Sequence, residues 1–153
     1  MTKNHLNNIK KNITNIQQSL PEHVLLVAAA KTRSAEEVRA SIQAGIKIIG
    51  YNYIQEAERI KQVIDDPVKW HMIGHLQRNK AKKAVELFDM IETIDSVRLA
   101  REINKHCAKK GKTMEVLIEI NSGKESNKTG VLPENVEKLI LQIKTLPFLK
   151  IQA

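Results

Sequence analysis

Short apolar runs alternate with amphipathic segments along this chain of 153 residues, and the alternation limits the fold more than any other feature. The first run, Val24 to Ala30, is continuous, as is typical of a strand buried on both faces of a parallel sheet. Ser34 and Glu37 follow with the spacing of a capping box, which predicts a helix that ends at Gly45. The pattern then repeats, giving five strand–helix units and the start of a sixth strand at 148–152. Serial units of this kind predict a parallel sheet with right-handed crossovers.

Two architectures fit this order of elements. Periodicity does not separate an open doubly wound sheet from a (β/α)₈ barrel. Because a complete barrel takes about 250 residues, length alone favours the doubly wound sheet. A further helix is predicted before the first strand, since five apolar residues share one of its faces: Leu6, Ile9, Ile13, Ile16 and Leu20. No Pro- or Gly-rich linker interrupts the chain, so we predict a single domain over residues 1–153.

Composition narrows the functional classes. No apolar run approaches the roughly 18 residues of a membrane span, and the polar N-terminal segment lacks a signal-peptide pattern. With Cys107 as its one cysteine the chain forms no internal disulfide, and we expect a reduced, cytoplasmic setting. The formal charge of +8 raises nucleic-acid binding as an alternative. Against it, the lysines are dispersed, and two Phe, two Tyr and one Trp are too few for a base-stacking platform.

Lys31 stands where the first predicted strand ends. An ammonium group is costly to bury, so partial burial here would favour the uncharged amine, a nucleophile that condenses with aldehydes. The alternative is a lysine whose charged head extends into water. Since the chain contains 19 lysines, the residue context alone favours this second interpretation.

Three other predicted strand ends carry polar side chains, at the edge where parallel sheets place their sites. Asn52 lies three residues before Gln55, so it caps the following helix, offers its amide to a ligand, or does both. His71 and His75 straddle another strand end, and His71 also fits a hydrogen-bonded core histidine. We predict no metal there, because no acidic residue or cysteine stands at ligand spacing. A turn-rich loop begins at Asn121.

Together these segments resemble the YggS/PROSC family of pyridoxal phosphate (PLP) homeostasis proteins over almost the whole chain. The matching strings are Val27-Ala28-Ala29-Ala30-Lys31-Thr32, Gly50-x-Asn52-Tyr53-x-Gln55-Glu56, Trp70-His71-x-Ile73-Gly74-His75-Leu76-Gln77-x-Asn79-Lys80, and the loop from Asn121 to Gly130 with Glu125 and Lys128. The resemblance implies an α/β fold, a (β/α) barrel of the alanine racemase N-terminal-domain type, with PLP held as a Schiff base on Lys31. We expect further cofactor contacts from four residues, Asn52, His71, His75 and Asn121.

The resemblance also implies a function. Members of this family are regarded as carriers or regulators of PLP that influence amino-acid and vitamin B6 pools, which implies a non-catalytic protein. The alternative is a fold-type III PLP enzyme, such as a racemase or lyase. That activity would need a second acid/base group, typically a tyrosine from another domain.

Two departures from the family pattern affect these expectations. Tyr51 stands where the family usually has glutamate, so the charge of that carboxylate is absent. The chain also ends at Ala153, before the family's phosphate-binding segments. We therefore expect about five βα units of an incomplete barrel, weak and reversible cofactor binding, and self-association through exposed strand edges.

Overall fold

The computed structural model describes residues 3–152 and divides into two compact units, which meet in the sequence between Trp70 and His71. We call these unit one and unit two. The described residues form six strands that alternate with helices, as the sequence predicts. No helix in this part of the chain is long and apolar enough to cross a membrane. The single-domain assignment stays a prediction.

Unit one contains two paired strands and three helices. Its elements, in chain order, are α1 (Lys3–Ser19), β1 (Val27–Ala29), α2 (Ala35–Gln43), β2 (Ile48–Tyr51) and α3 (Ile54–Lys61). Strands β1 and β2 are parallel, with Ala29 opposite Gly50. Helix α1 is tied to α2 by a hydrogen bond from Lys10 Nζ to Gln43 Oε1 at 2.9 Å. The fully buried side chains of this unit include Ile49 and Ala57.

Unit two continues the alternation. Its elements, of which β3 begins at the end of unit one, are β3 (Lys69–Met72), α4 (Ala81–Leu87), β4 (Met90–Ile94), α5 (Val97–Lys110), β5 (Met114–Ile118), α6 (Val136–Ile143) and β6 (Leu149–Ile151). The strands pair in sequence order, and every pair is parallel. A core of fully buried side chains lies among them: Phe88, Ile91, Ile94, Ile103, Met114, Val116 and Ile143.

The predicted elements are present, but several are shorter than their apolar patterns suggest. The run from Val24 to Ala30 contains a strand of only three residues, Val27–Ala29. Val24 and Leu25 lie before this strand and are exposed. The predicted helix from Pro133 begins with a 3₁₀ turn, and its α-helical part ends at Ile143. An apolar run marks a strand well, but backbone pairing decides where the strand starts.

Lys112 links the end of α4 to the start of β5. Its Nζ donates to the carbonyl oxygens of Val85 at 3.2 Å and Phe88 at 2.7 Å, which are among the last carbonyls of α4. The last carbonyl groups of a helix accept no hydrogen bond from a backbone N–H of that helix. A cation placed there also interacts favourably with the helix dipole.

We expect Lys112→Met, which keeps the apolar stem, to lower the free energy of unfolding in urea by about 1–2 kcal/mol. Lys109→Met is the matched control, because Lys109 is exposed in the last turn of α5. Equal unfolding midpoints for the two variants would contradict the assigned role of Lys112.

Candidate functional site

Lys31 lies on a tight turn directly after β1. The Ala30 N–H donates to Gly50 O at 2.9 Å, and the Arg33 N–H donates to Ala30 O at 3.0 Å, which closes the turn around Lys31. The side chain of Lys31 is exposed. The partial burial considered for this amine is therefore not found, and the lysine extends into solvent from a fixed point at the strand end.

Thr32, the next residue, has an uncommon backbone conformation with φ of +64°. A β-branched residue rarely adopts this left-handed region. Two side chains contact it: Glu56 Oε2 accepts the Thr32 N–H at 3.1 Å, and Arg33 Nη2 donates to Thr32 Oγ1 at 3.3 Å. The sequence does not indicate this role of Glu56, because its partner lies 24 residues away.

Asn52 occupies the corresponding position after the neighbouring strand, β2. Because Ala29 pairs with Gly50, Lys31 and Asn52 each follow that pair by two residues, at the carboxyl edge of the same two strands. Asn52 is half-buried. The predicted capping box of Asn52 and Gln55 is wrong, since the N-cap of α3 is Tyr53 and its side chain makes no cap hydrogen bond.

Tyr51, at the departure from the family pattern, belongs to the core of unit one. It is fully buried and its ring stacks on Trp70 with centroids 5.8 Å apart. None of the described residues hydrogen-bonds its hydroxyl. Burial, reinforced by the charge of Glu56, raises the pKa of Tyr51 to about 12, so the phenol stays neutral.

The predicted capping box of Ser34 and Glu37 is confirmed. Ser34 Oγ accepts the Glu37 N–H at 3.2 Å, and Glu37 Oε2 accepts the Ser34 N–H at 2.8 Å. The other carboxylate oxygen, Oε1, contacts His5 Nε2 at 3.0 Å and Arg33 Nη1 at 3.1 Å. The Ser34 backbone bond first, then His5 and Arg33, lower the pKa of Glu37 to about 2.

His71, in β3, is buried, and its Nδ1 lies 2.6 Å from Glu92 Oε1. This contact matches the hydrogen-bonded core histidine that the sequence left open. The pair fixes the imidazole within unit two.

His75 follows the end of β3 and meets two carboxylates. One ligand atom from each of His75, Asp95 and Glu119 lies within 4.8 Å of the others, and the three side chains follow the ends of β3, β4 and β5. Glu119 Oε1 accepts from Thr129 Oγ1 at 2.9 Å, whereas its Oε2 is buried without a hydrogen-bond partner among the described residues. One nitrogen and two oxygens are ligands that a divalent cation accepts.

That no metal binds at His75 stays a prediction, and the sequence around this residue does not indicate its acidic neighbours. They come from two further strands, 20 and 44 residues along the chain (95 − 75 and 119 − 75), so spacing around a single motif does not reveal them. The predicted parallel strand order could have revealed them, because it places the ends of successive strands side by side.

Asn121 closes the loop after β5 with its own side chain. Its Nδ2 donates to Glu125 O at 2.9 Å, and its Oδ1 accepts the Glu125 N–H at 3.1 Å. Asn121 is buried, at 9% exposure, and its side-chain amide stabilises the loop through these two hydrogen bonds. Gly130 ends the loop with φ of +105° against the backbone of Asn121.

Comparisons with known proteins identify the family. A family model described as the alanine racemase N-terminal domain matches residues 5–153. The chain is 36% identical to a pyridoxal phosphate homeostasis protein of Pasteurella multocida, over 92% of this chain and 66% of that protein. With the protein of the same name from Escherichia coli K12 it shares 34% identity, over 86% of this chain and 58% of the relative. The chain thus spans less than two thirds of these curated relatives.

Solved structures agree with this match. The PipY protein of Synechococcus elongatus, solved without PLP, superimposes with a TM-score of 0.90 at 31% identity, over 95% of this chain and 68% of PipY. The PLP-bound form of PipY gives 0.86 at 28% identity, with the same coverage. An alanine racemase of Clostridium difficile gives 0.82 at 17% identity, over 97% of this chain and 40% of the racemase, which shows a common fold alone. The predicted resemblance is confirmed: the chain belongs to the alanine racemase N-terminal domain family and, within it, to the pyridoxal phosphate homeostasis proteins.

Proposed function

We propose that this chain binds PLP through a covalent Schiff base on Lys31 and takes part in PLP homeostasis without catalysing a reaction. The observation that carries the proposal is the exposed amine of Lys31 on a braced turn at the carboxyl end of β1. The names of the curated relatives and the PLP-bound structure of PipY support it.

The residues of unit one fit a small aldehyde. PLP, when bound, supplies an aldehyde carbon that forms a double bond to a primary amine with release of one water molecule. The amine of an exposed lysine is accessible to this aldehyde, and the turn fixes the position of the Lys31 backbone. Asn52, which follows β2 as Lys31 follows β1, is the proposed neighbouring contact.

The remaining proposed contacts lie in unit two. His75 is 47% exposed and is proposed to touch the cofactor directly. The side chains of His71 and Asn121 are engaged by Glu92 and Glu125, so we propose that these two shape the site through those partners. Self-association through strand edges stays a prediction, which the molar mass from light scattering tests.

The test is a titration of the purified chain with PLP, followed by visible absorption and then by borohydride reduction and peptide mapping. We expect a Schiff-base absorption band, reduction to a label on Lys31, and loss of both in Lys31→Ala. Lys47→Ala is the matched control, because Lys47 is also exposed but precedes β2 at the opposite edge. A band that persists in Lys31→Ala, or no band in the unmodified chain, would contradict the proposal.

A further inference from the structure

We propose that Glu56 is a positioning residue for Lys31: its carboxylate holds the turn on which the lysine stands. The inference rests on the proposed function of Lys31. It concerns how the chain presents the amine, and it assigns Glu56 no contact with the cofactor.

The turn requires external support because of Thr32. At φ of +64° a β-branched residue is in a region that is unfavourable relative to ordinary backbone. Such a conformation persists only where surrounding contacts enforce it. The bond from Arg33 N–H to Ala30 O closes the turn from within, and Glu56 Oε2 accepts the Thr32 N–H from outside it.

The position of Glu56 within α3 supports this role. It is the third residue of the helix, the position from which a capping-box glutamate bonds back to its own N-cap. Glu37, at the same position of α2, does that to Ser34. Glu56 instead extends to Thr32 in the preceding βα connection, so its carboxylate serves the Lys31 turn.

Two consequences of losing Glu56 can be separated. Alanine removes both the acceptor and the negative charge near Lys31, whereas glutamine removes the charge and keeps an oxygen that accepts the Thr32 N–H. If the carboxylate holds the turn, the acceptor matters and the charge does not. If it acts on the lysine electrostatically, glutamine and alanine have equal effects.

The experiment measures the dissociation constant of PLP for the full chain by visible absorption. We expect Glu56→Ala to weaken binding about tenfold, the upper end of the effect of one lost hydrogen bond, and Glu56→Gln, which keeps an acceptor, to stay within about twofold. Glu36→Ala is the control: Glu36 is an exposed glutamate in the first turn of α2, and its loss should leave binding unchanged. Equal losses in Glu56→Ala and Glu56→Gln, or none in Glu56→Ala, would overturn the inference.

Thr32 provides an independent check. Asparagine tolerates the left-handed region better than threonine, so Thr32→Asn relieves the strain while keeping the backbone N–H. In that background Glu56→Ala should weaken PLP binding by about threefold instead of tenfold. An undiminished loss would count against the positioning role. If Lys31→Ala leaves the absorption band intact, the proposed function itself fails, which is a different result from wild-type affinity in Glu56→Ala.

Discussion

Gly130→Ala is expected to lower the free energy of unfolding by about 3 kcal/mol, because the substitution combines backbone strain with a clash. Gly130 has φ of +105°, which side-chain-bearing residues rarely adopt. A Cβ atom there would lie 2.8 Å from Asn121 N and 3.2 Å from Glu119 O. Both neighbours are backbone atoms and cannot rotate away.

The strain would reach the loop that Asn121 closes. Asn121 N–H donates to Val131 O at 2.9 Å, and Val131 N–H donates to Glu119 O at 2.8 Å, directly beside the added methyl group. We therefore expect urea unfolding at a lower midpoint and faster amide hydrogen exchange at Asn121 and Val131.

Gly111→Ala is the matched control. Gly111 also has a positive φ, +60°, at the end of α5, but among residues 3–152 no atom outside its own chain neighbourhood lies within 4 Å of an added Cβ. Its replacement should cost only about 1 kcal/mol. Equal losses in the two variants would mean that the close approach to Asn121 contributes nothing.

Acidification from pH 4.5 to pH 2 is expected to remove on the order of 2 kcal/mol of stability through Glu37 alone. The folded chain holds the pKa of Glu37 at about 2, below its ordinary 4.5. Between these values the unfolded chain binds the proton first, so protons favour unfolding. The contribution is complete above pH 4.5 and is lost as the pH falls to 2. Exposure of His5 and Arg33 to solvent limits its size.

The measurement is the free energy of urea unfolding at several pH values in this window. Glu37→Gln should be less stable at neutral pH and show a flatter dependence below pH 4.5. Glu36→Gln is the control: because Glu36 is exposed, this variant should keep the wild-type dependence of unfolding free energy on pH. A wild-type slope in Glu37→Gln would assign the acid sensitivity to other carboxylates.

Features that depend on neighbours in sequence could be predicted. Ser34 and Glu37 mark the start of α2 as expected, because caps are made within a few residues. The order of strands and helices likewise follows from periodicity. The resemblance to a known family selected the barrel type, which periodicity alone did not.

Features that depend on distant partners could not be predicted. Nothing near Glu56 indicates that it bonds to Thr32, and nothing near His75 indicates Asp95 and Glu119. These contacts arise only when separate strand ends meet. Lys31 is exposed, which agrees with the solvent-extended interpretation and not with partial burial. The reason is that β1 ends at Ala29, before the lysine.

Unit one, which contains the stacked pair of Tyr51 and Trp70, can be followed separately by its spectroscopic signals. The only tryptophan and both tyrosines precede His71, so the tyrosine and tryptophan absorption and fluorescence arise from unit one alone. Trp70 is 3% exposed, and unfolding would transfer its ring to water and shift its emission. Far-ultraviolet circular dichroism registers helices of both units. Coincidence of the two signals during denaturation would therefore reveal whether the chain melts as one cooperative body.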